Sequence, residues 1–188
     1  MKKGDARRSE LLVAAEKLFY TKGYEKTSIQ DILDEVGFSK GGFYHHFDSK
    51  EALYQHLYTP QLDTYLASHF SIPEDADGKT ILLALADATL SFSEEIGREM
   101  TSLSITVMLS RGTSHLFTEG RVHTRLLHQA LSQSQAGNQL KCDGSEHELM
   151  LIYSCLMVGF LVKWASLADE SNFDWHSLLQ REMQLMFC

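Results

Sequence analysis

Proline and cysteine are both scarce in this chain of 188 residues. Long stretches of helical periodicity follow its two prolines, Pro60 and Pro73, and this favours an all-helical protein. Its three cysteines, Cys142, Cys155 and Cys188, show no paired spacing. An odd number of unpaired cysteines is most simply explained by a reduced chain in the cytoplasm.

Several functional signatures are missing as well. No stretch of 18 uncharged apolar residues occurs, so no membrane span is expected. The first ten residues, MKKGDARRSE, lack the apolar segment of a signal peptide. The chain has no phosphate-binding loop, no Gly-x-Gly-x-x-Gly and no His-Glu-x-x-His, and the sequence predicts neither an enzyme nor a bound cofactor.

Charge is distributed unevenly along the chain. The net charge of −8 argues by itself against nucleic-acid binding. Residues 1–50, however, carry nine Lys or Arg and eight Asp or Glu, a net of +1, whereas residues 51–188 carry a net of −9. A localised basic surface on an acidic protein suits a protein that binds one specific DNA site. In the basic part, Arg7 and Arg8 either reach DNA or form a solvated tail.

Residues 27–53 contain two short helical patterns with a tight break between them. Apolar residues recur there with the spacing of one helix face, at Ile29, Ile32, Leu33 and Val36. Thr27, with Gln30 three residues later, indicates a capping box at the start of this helix. Gly37 is expected to end it, because glycine adopts the left-handed conformation without a Cβ clash.

Ser39 is expected to cap a second helix, on which Phe43 and Phe47 form a buried face. Gly41 and Gly42 each lower helix stability by roughly 0.5–1 kcal/mol, which is easiest to explain if this helix approaches another surface closely. The pattern predicts a helix-turn-helix that offers its second helix to a DNA major groove; the alternative is a helical hairpin that only builds a core. The residues expected to contact DNA are Thr27, Ser28, Ser39, Lys40, Gly41, Gly42, Tyr44, His45 and Lys50.

A longer string of residues surrounds this pattern. It comprises Ala14-Ala15, Leu18-Phe19, Gly23-Tyr24, Thr27, Ile32, Gly37, Ser39-Lys40-Gly41, Phe43-Tyr44, Phe47, Ser49-Lys50-Glu51 and Leu53. Over residues 7–54 the chain thereby resembles the N-terminal domain of the tetracycline-repressor (TetR) family of bacterial transcription regulators. The resemblance implies the fold, the DNA-binding head and a dimer, but it does not imply which effector is bound.

Helical periodicity divides the chain into about nine helices, and the sequence predicts an all-α fold with two domains. Residues 1–48 are predicted to form a three-helix, helix-turn-helix DNA-binding head, and residues 49–188 a helical effector-binding and dimerisation body. A mobile arm, residues 1–6, is expected before a first helix at 8–22. Pro60 is expected to kink or reset the fourth helix. The later helices are predicted at 79–97, 98–109, 114–135, 146–168 and 174–187.

The helix predicted from Glu146 to Ala168 is apolar on almost every side. Such a helix must be covered all round, and in a small protein this implies a partner subunit on one face. With the last helix it is expected to pack against its copies as a four-helix bundle in a homodimer. The residues predicted at this interface are Met150, Met157, Val158, Leu161, Trp175, Leu179 and Met183.

Apolar and aromatic side chains on the middle helices indicate an effector pocket. The body has a net charge of −9, so the sequence predicts a neutral or cationic, largely apolar or aromatic small molecule. The residues assigned to this pocket are Phe92, Met100, Met108, His115, Phe117, His123, Tyr153 and Trp164. The same residues suit a packed core without a cavity.

The predicted function is that of a dimeric, ligand-responsive transcriptional repressor. Its two recognition helices would lie about 34–36 Å apart on a near-palindromic operator in double-stranded DNA, and the effector would favour a state that does not bind DNA. One alternative is a metal or redox sensor on the same scaffold, with Glu119 and His123 joined by Cys142 or His147 as metal ligands. The other is a helical dimer without specific DNA binding.

Overall fold

The computed structural model describes residues 3–73, 75–111, 120–167 and 173–187. These residues form helices and no strands, which confirms the predicted all-α fold. The described helices are α1 Lys3–Lys22, α2 Ile29–Val36, α3 Lys40–Tyr44, α4 Lys50–His69, α5 Gly78–Ile96, α6 Arg98–Arg111, α7 Val122–Ala136, α8 Glu146–Ser166 and α9 Trp175–Phe187. The chain divides into two compact units, Met1–Gln61 and Leu62–Cys188, and the division falls inside α4.

The first unit is a small helical head with its own apolar core. Its buried side chains come from α1, α2, α3 and the first turns of α4: Leu11, Ala15, Phe19, Ile32, Leu33, Phe43, Phe47, Leu53 and Tyr54. Tyr24, in the connection between α1 and α2, is 3% exposed. Its ring centroid lies 5.0 Å from that of Phe19 and 5.7 Å from that of Tyr54. These three rings fix the connection that precedes the predicted helix-turn-helix.

Three predicted element boundaries need correction. α1 begins at Lys3, so residues 3–6 are helical and not a mobile arm; Asp5 in the first turn suits the positive end of the helix dipole. α4 continues through Pro60, which is exposed, so the helix is not reset there. α7 begins at Val122 because Gly120 has a φ of 89° and Arg121 is extended. Residues 112–119, where an earlier start was predicted, lie outside the described residues.

The second unit is built around α5, which packs against α7 and α9, while α6 packs against α8. Its core includes Leu82, Leu85, Leu90, Leu127, Leu131, Leu149, Leu179 and Met183. α5 and α7 are in close contact at Gly78, where an added Cβ would lie 2.3 Å from the backbone oxygen of Ala130. Arg98 at the start of α6 donates hydrogen bonds to the backbone oxygens of Trp164 and Leu167 and thereby satisfies the end of α8.

α8 buries one side within the chain and leaves an apolar stripe exposed. Leu151 is 42% exposed and Val162 is 45% exposed, and Cys155 and Gly159 lie between them on the same exposed stripe. α8 is also the one described helix that is long and apolar enough to cross a membrane, with a mean hydropathy of 1.7 over 18 residues of which 39% are buried. Core helices of soluble proteins have the same length and composition, so these two properties do not by themselves place α8 in a membrane.

The residues predicted at a dimer interface are mostly turned inward. Six of the seven are buried within the single chain: Met150, Met157, Leu161, Trp175, Leu179 and Met183. Only Val158 is half-buried. The assignment of these residues to a dimer interface stays a prediction. A helix that is apolar on all sides does not reveal in its sequence which side faces the core.

Candidate nucleic-acid interface

The start of α2 is fixed by a capping box between Ser28 and Asp31. The Ser28 hydroxyl oxygen accepts the Asp31 N–H at 3.1 Å, and the Asp31 carboxylate accepts the Ser28 N–H at 2.7 Å. The same carboxylate lies 2.8 Å from the Lys22 ammonium, and hydrogen bonds from Lys22 and Ser28 hold the pKa of Asp31 well below its usual range. The predicted box of Thr27 with Gln30 is thus wrong by one residue.

Thr27 has a different role from either predicted one. Its side chain is 1% exposed, and its hydroxyl donates to the backbone oxygen of Gly23 at 2.8 Å. A buried hydroxyl with this partner anchors the end of the α1–α2 connection. The Thr27 side chain therefore does not lie on the surface where DNA contacts were predicted.

The turn between α2 and α3 is built as the sequence predicts. Gly37 adopts the left-handed conformation with φ 68°, and its N–H donates to the backbone oxygen of Leu33. Ser39 is the N-cap of α3, and its hydroxyl oxygen accepts the Gly42 N–H at 3.3 Å. A left-handed glycine followed by a capped second helix gives the sharp change of direction of a helix-turn-helix.

The string GFSKG at residues 37–41 also has the Gly-x-Ser-x-Gly spacing of many serine hydrolases. In those enzymes the serine lies at a turn from a strand into a helix. Here Ser39 follows helix α2, and its hydroxyl oxygen caps α3. The string is therefore a helix cap and not a nucleophile.

α3 presents one buried and one open side. Phe43 is fully buried, whereas Lys40, Gly41, Tyr44 and His45 are exposed. An open cleft runs along the exposed side, and its lining residues are Arg7, Gly37, Phe38, Ser39, Gly41, Gly42, His45 and His46. Four of the nine residues predicted to contact DNA therefore line this cleft, namely Ser39, Gly41, Gly42 and His45.

Gly41 is not required by the fold of the head. A Cβ added to Gly41 would have no heavy atom within 4 Å, and one added to Gly42 would meet only the Ser39 hydroxyl at 3.6 Å. Neither residue has a positive φ. Glycine inside a helix costs about 1 kcal/mol relative to alanine. The single chain offers no packing reason for this loss at Gly41.

Lys50 contacts the interior of the head more than the sequence predicts. Its ammonium group donates to the backbone oxygens of Tyr24 and Thr27, both at 2.9 Å, and lies 3.9 Å from the centroid of the Tyr24 ring. These contacts tie the start of α4 to the α1–α2 connection. The predicted contact between Lys50 and a phosphate stays a prediction.

Arg7 is one of the two arginines that the sequence leaves open as either a DNA contact or part of a solvated tail. It lies in α1 and lines the cleft beside α3, with its guanidinium carbon 5.5 Å from the centroid of the Phe38 ring. Its neighbour Arg8 lies over Phe47 at 5.2 Å and is not among the residues that line the cleft. A helix that starts at Lys3 fixes the direction of both side chains, and the sequence alone did not reveal that start.

Residues 11–57 match the family model of bacterial regulatory proteins of the tetR family. This stretch includes α2, α3 and the capping residues described above. These residues belong to the N-terminal domain of the TetR family. The resemblance found in the sequence is thereby confirmed.

Two curated relatives are similar to this chain over part of their length. The uncharacterized HTH-type transcriptional regulator YfiR of Bacillus subtilis (strain 168) is 41% identical over 59 residues, which are 31% of this chain and 29% of YfiR. The HTH-type transcriptional repressor KstR2 of Rhodococcus jostii (strain RHA1) is 38% identical over 80 residues, 42% of this chain and 39% of KstR2. The chain thus spans well under half of either relative. Both relatives are regulators, in line with the prediction that this chain is not an enzyme.

Solved structures resemble this chain over nearly its whole length. Salmonella enterica GusR has a TM-score of 0.60 at 19% identity and covers 99% of this chain and 97% of its own. Reduced NemR of E. coli has a TM-score of 0.56 at 19% identity and covers 97% of both chains. At this identity the likeness shows the fold alone.

Two of the residues assigned to an effector pocket lie together in the second unit. The ring centroids of His123 and Tyr153 are 6.1 Å apart. Tyr153 is 1% exposed, and its buried hydroxyl makes no hydrogen bond of ordinary geometry. Burial raises the pKa of Tyr153, and the nearby Thr89 hydroxyl lowers it by a smaller amount. Burial lowers the pKa of His123 to about 4, with a further contribution from Arg121.

The other assigned residues are more scattered. Phe92 is buried with its ring centroid 5.4 Å from that of Tyr65, and Trp164 is buried beneath the Arg98 guanidinium at 4.8 Å. Met100 and Met108 are half-buried. The remaining two, His115 and Phe117, lie outside the described residues.

The proposed metal ligands are not brought together in the described part of the chain. No group of three or more His, Cys, Asp or Glu side chains is placed there to hold a metal ion. Glu119 lies outside the described residues, and the backbone N–H of His123 donates to the Asp63 carboxylate at 3.4 Å. Cys142 and Cys155 are free thiols.

Proposed function

We propose that this TetR-family regulator is a repressor that acts in the cytoplasm and binds a near-palindromic operator as a homodimer through α3. The observation that carries the proposal is the surface of α3. A capped helix exposes Lys40, Tyr44 and His45 beside Gly41, which the head does not need for its own packing. Removing a side chain lets a helix approach a partner closely, and the exposed groups can donate hydrogen bonds to phosphates and base edges.

The experiment that tests DNA binding uses Gly41→Ala. The operator is first selected from random oligonucleotides with the wild-type protein, and affinity is then measured by a gel-shift titration at two salt concentrations. Because alanine removes a helix penalty and meets nothing within 4 Å, the variant should be as stable as wild type or up to about 1 kcal/mol more stable. Its affinity for the selected operator should nevertheless fall at least tenfold.

Gly4→Ala is the matched control, because a Cβ at Gly4 in α1 also meets nothing within 4 Å. It should have the same effect on helix stability without affecting DNA binding. An operator affinity that is unchanged in Gly41→Ala would remove α3 from the interface. Failure to select any DNA sequence would overturn the proposed function as a whole.

The proposed homodimer rests on the uncovered side of α8 and α9. A groove between these helices is lined by Leu151, Ile152, Cys155, Leu156, Glu182 and Met186. Met186 in this groove is 46% exposed, and its neighbour Leu185 is 62% exposed. A contiguous apolar face of this kind marks an interaction site, and a second copy of the same face would bury it symmetrically.

Leu151→Lys tests this interface. Leu151 is already 42% exposed in the single chain, so a lysine there should leave the chain folded and convert dimers to monomers in sedimentation at micromolar concentration. Leu109→Lys is the control, because Leu109 is 66% exposed on α6, away from the groove. A wild-type monomer would refute the dimer. Binding of wild type to phosphatidylcholine vesicles would instead assign the apolar face to a membrane.

The proposed effector is an uncharged, largely apolar small molecule. In the second unit, Arg98 is engaged with the end of α8 and Arg121 lies 3.3 Å from the Asp63 carboxylate, so two of its cations already have partners. His123 is neutral at pH 7, because its pKa is about 4. The unpartnered hydroxyl of Tyr153 supports a ligand with a hydrogen-bond acceptor, since a buried polar group without a partner costs roughly 1–3 kcal/mol.

Tyr153→Phe tests this part of the proposal. Removing an unpartnered hydroxyl should leave the stability of the free protein unchanged or higher. The probes are pairs of molecules with and without a carbonyl, such as benzophenone and diphenylmethane, assayed by thermal shift, Trp164 fluorescence and operator release. Ketones should act on wild type about tenfold more strongly than on the variant, and their hydrocarbon analogues equally on both. A loss of stability in Tyr153→Phe would assign the hydroxyl a structural partner instead.

A further inference from the structure

We infer that Arg7, whose guanidinium group lies over the ring of Phe38, contacts a DNA phosphate beside α3. The inference rests on the proposed DNA binding and adds a contact that α3 itself does not supply. It makes Arg7 a DNA-binding residue and Phe38 the residue that positions it.

The cleft places Arg7 next to the exposed backbone of α3. Arg7 from α1 and the two glycines of α3 line the same opening, with the two adjacent histidines, His45 and His46, at its side. Because Gly41 and Gly42 have no side chains, a strand of DNA that reaches α3 would pass directly by the guanidinium group. A phosphate at that point would meet a cation on a helix rather than on a flexible tail.

Phe38 restricts where the guanidinium group can lie. The guanidinium carbon is 5.5 Å from the Phe38 ring centroid, which is within the range of a cation–π contact. Phe38 lies directly after Gly37, and its N–H donates to the backbone oxygen of Leu33 at 3.1 Å, so the ring is attached to a fixed turn. A planar guanidinium held in this way keeps its edge free for two parallel hydrogen bonds to a phosphate.

Arg8 provides a comparison within the same helix. It is adjacent in sequence, carries the same charge and also stacks on a phenylalanine, at 5.2 Å from the Phe47 centroid. It is half-buried and does not line the cleft, whereas Arg7 is exposed. If charge alone determined DNA affinity, both arginines would contribute equally. If the cleft determines it, only Arg7 contributes.

The test measures operator affinity of the full-length protein as a function of salt, with the DNA selected by wild type. Each phosphate contact contributes about 0.9 to the slope of log K against log salt, so Arg7→Ala should reduce the slope of a dimer by about two. Affinity should fall about tenfold per contact for all sequences alike, with no change in base preference. Arg7→Lys should keep the slope, because the charge remains, and lose affinity, because the planar fork is lost. Arg8→Ala should leave both the salt slope and the operator affinity unchanged.

Phe38 is tested by a double-mutant cycle, since its own replacement can disturb the head. Phe38→Leu should weaken binding several-fold in wild type and have no further effect in Arg7→Ala, with circular dichroism confirming that the head is folded. Equal losses from Phe38→Leu in both backgrounds would show that Phe38 acts on the fold and not through Arg7.

The remaining outcomes each decide the question. An unchanged slope in Arg7→Ala, or an equal reduction in Arg8→Ala, would overturn the assignment while leaving operator binding intact. A changed base preference in Arg7→Ala would replace the phosphate contact by base readout and overturn it as well. If wild type selects no operator, both the proposed function and this inference are wrong.

Discussion

Replacing Lys50 by methionine keeps most of the aliphatic side chain and removes the ammonium group. In the head this group donates to two backbone oxygens, those of Tyr24 and Thr27, at 2.9 Å each, and lies over the Tyr24 ring. Hydrogen bonds from a charged group contribute about 1.5–3 kcal/mol each, and the ring contact about 0.5–1 kcal/mol. Two effects reduce this loss. The untethered side chain recovers about 2 kcal/mol of conformational entropy, and removing a positive charge from the positive end of the α4 dipole contributes up to about 1 kcal/mol. We therefore expect Lys50→Met to destabilise the head by roughly 2 kcal/mol.

Lys17→Met is the matched control. Lys17 makes the shorter contact, 2.6 Å to Glu35, but the two side chains are 62% and 38% exposed. Exposed ion pairs contribute about 0–1 kcal/mol, because water already solvates both charges. We therefore expect Lys50→Met to destabilise the head more than Lys17→Met, because the contacts of Lys50 are more buried although they are longer.

The assay must report on the head alone. Both tryptophans, Trp164 and Trp175, lie in the second unit, so their fluorescence does not follow unfolding of the head. Hydrogen exchange of the backbone amides of Ile32, Phe38 and Leu53, which donate hydrogen bonds within the head, is suitable. Protection should fall about 30-fold in Lys50→Met and less than about fivefold in Lys17→Met. Equal losses, or a larger loss in Lys17→Met, would refute the reasoning. DNA binding by Lys50→Met can be measured at a protein concentration raised to compensate for the unfolded fraction. A reduced slope of log K against log salt under these conditions would still indicate the predicted phosphate contact of Lys50.

Two further predictions concern the second unit. Gly78→Ala would bring a Cβ within 2.3 Å of the Ala130 oxygen and the Ser134 nitrogen. We expect it to lower the free energy of unfolding, measured by Trp fluorescence in a urea titration, by roughly 2 kcal/mol or more. A stability equal to that of wild type would contradict the close packing of α5 and α7. Burial lowers the pKa of His176, but hydrogen bonds to Asp87 and Glu94 outweigh burial, so the pKa is raised overall. Protonated His176 therefore stabilises the fold fully below about pH 6.5, and this stabilisation is lost as the pH rises through the raised pKa. His123 has the opposite sign, because its pKa of about 4 means that stability falls, by at most about 3 kcal/mol, as the pH drops from 6.5 towards 4. His176→Gln should therefore flatten the stability profile above pH 6.5 and His123→Gln the profile below it, and parallel profiles for variant and wild type would refute either assignment.

The local signals at the α2–α3 turn were predictable from sequence, and the exact cap was not. Gly37 and Ser39 act through their own backbone geometry, so their roles follow from neighbouring residues alone. Thr27 and Ser28 are both good capping residues, and both are followed three positions later by a residue able to complete a box. The choice between them is tertiary. Burial of Thr27 between Gly23 and Leu18, whose backbone oxygens lie near its hydroxyl, leaves the cap to Ser28.

Contacts between distant parts of the chain were not predictable by the same means. The stacking of Arg7 on Phe38 joins residues 31 positions apart and depends on α1 starting at Lys3. The outward side of α8 was hidden for a different reason. Leu151 and Met150 are adjacent and similarly apolar, yet one is 42% and the other 4% exposed, because α6, α7 and α9 cover only part of the helix. Periodicity cannot rank sides of a helix that are equally apolar.

Three helical glycines separate what the fold needs from what a partner needs. Gly78 is explained within the chain, because any side chain would collide with the backbone of α7. Gly41 and Gly159 are not, since a Cβ at either would meet nothing within 4 Å, although each glycine costs about 1 kcal/mol in a helix. Gly41 lies on the surface proposed for DNA, and Gly159 lies on the stripe of α8 proposed for the second copy. Alanine at Gly159 should therefore stabilise the single chain and weaken the dimer, as alanine at Gly41 should stabilise the head and weaken operator binding. Gly41 and Gly159 are therefore best explained by surfaces that only the assembled complex contains, whereas Gly4, which is equally open to a Cβ at the start of α1, lies on neither proposed surface.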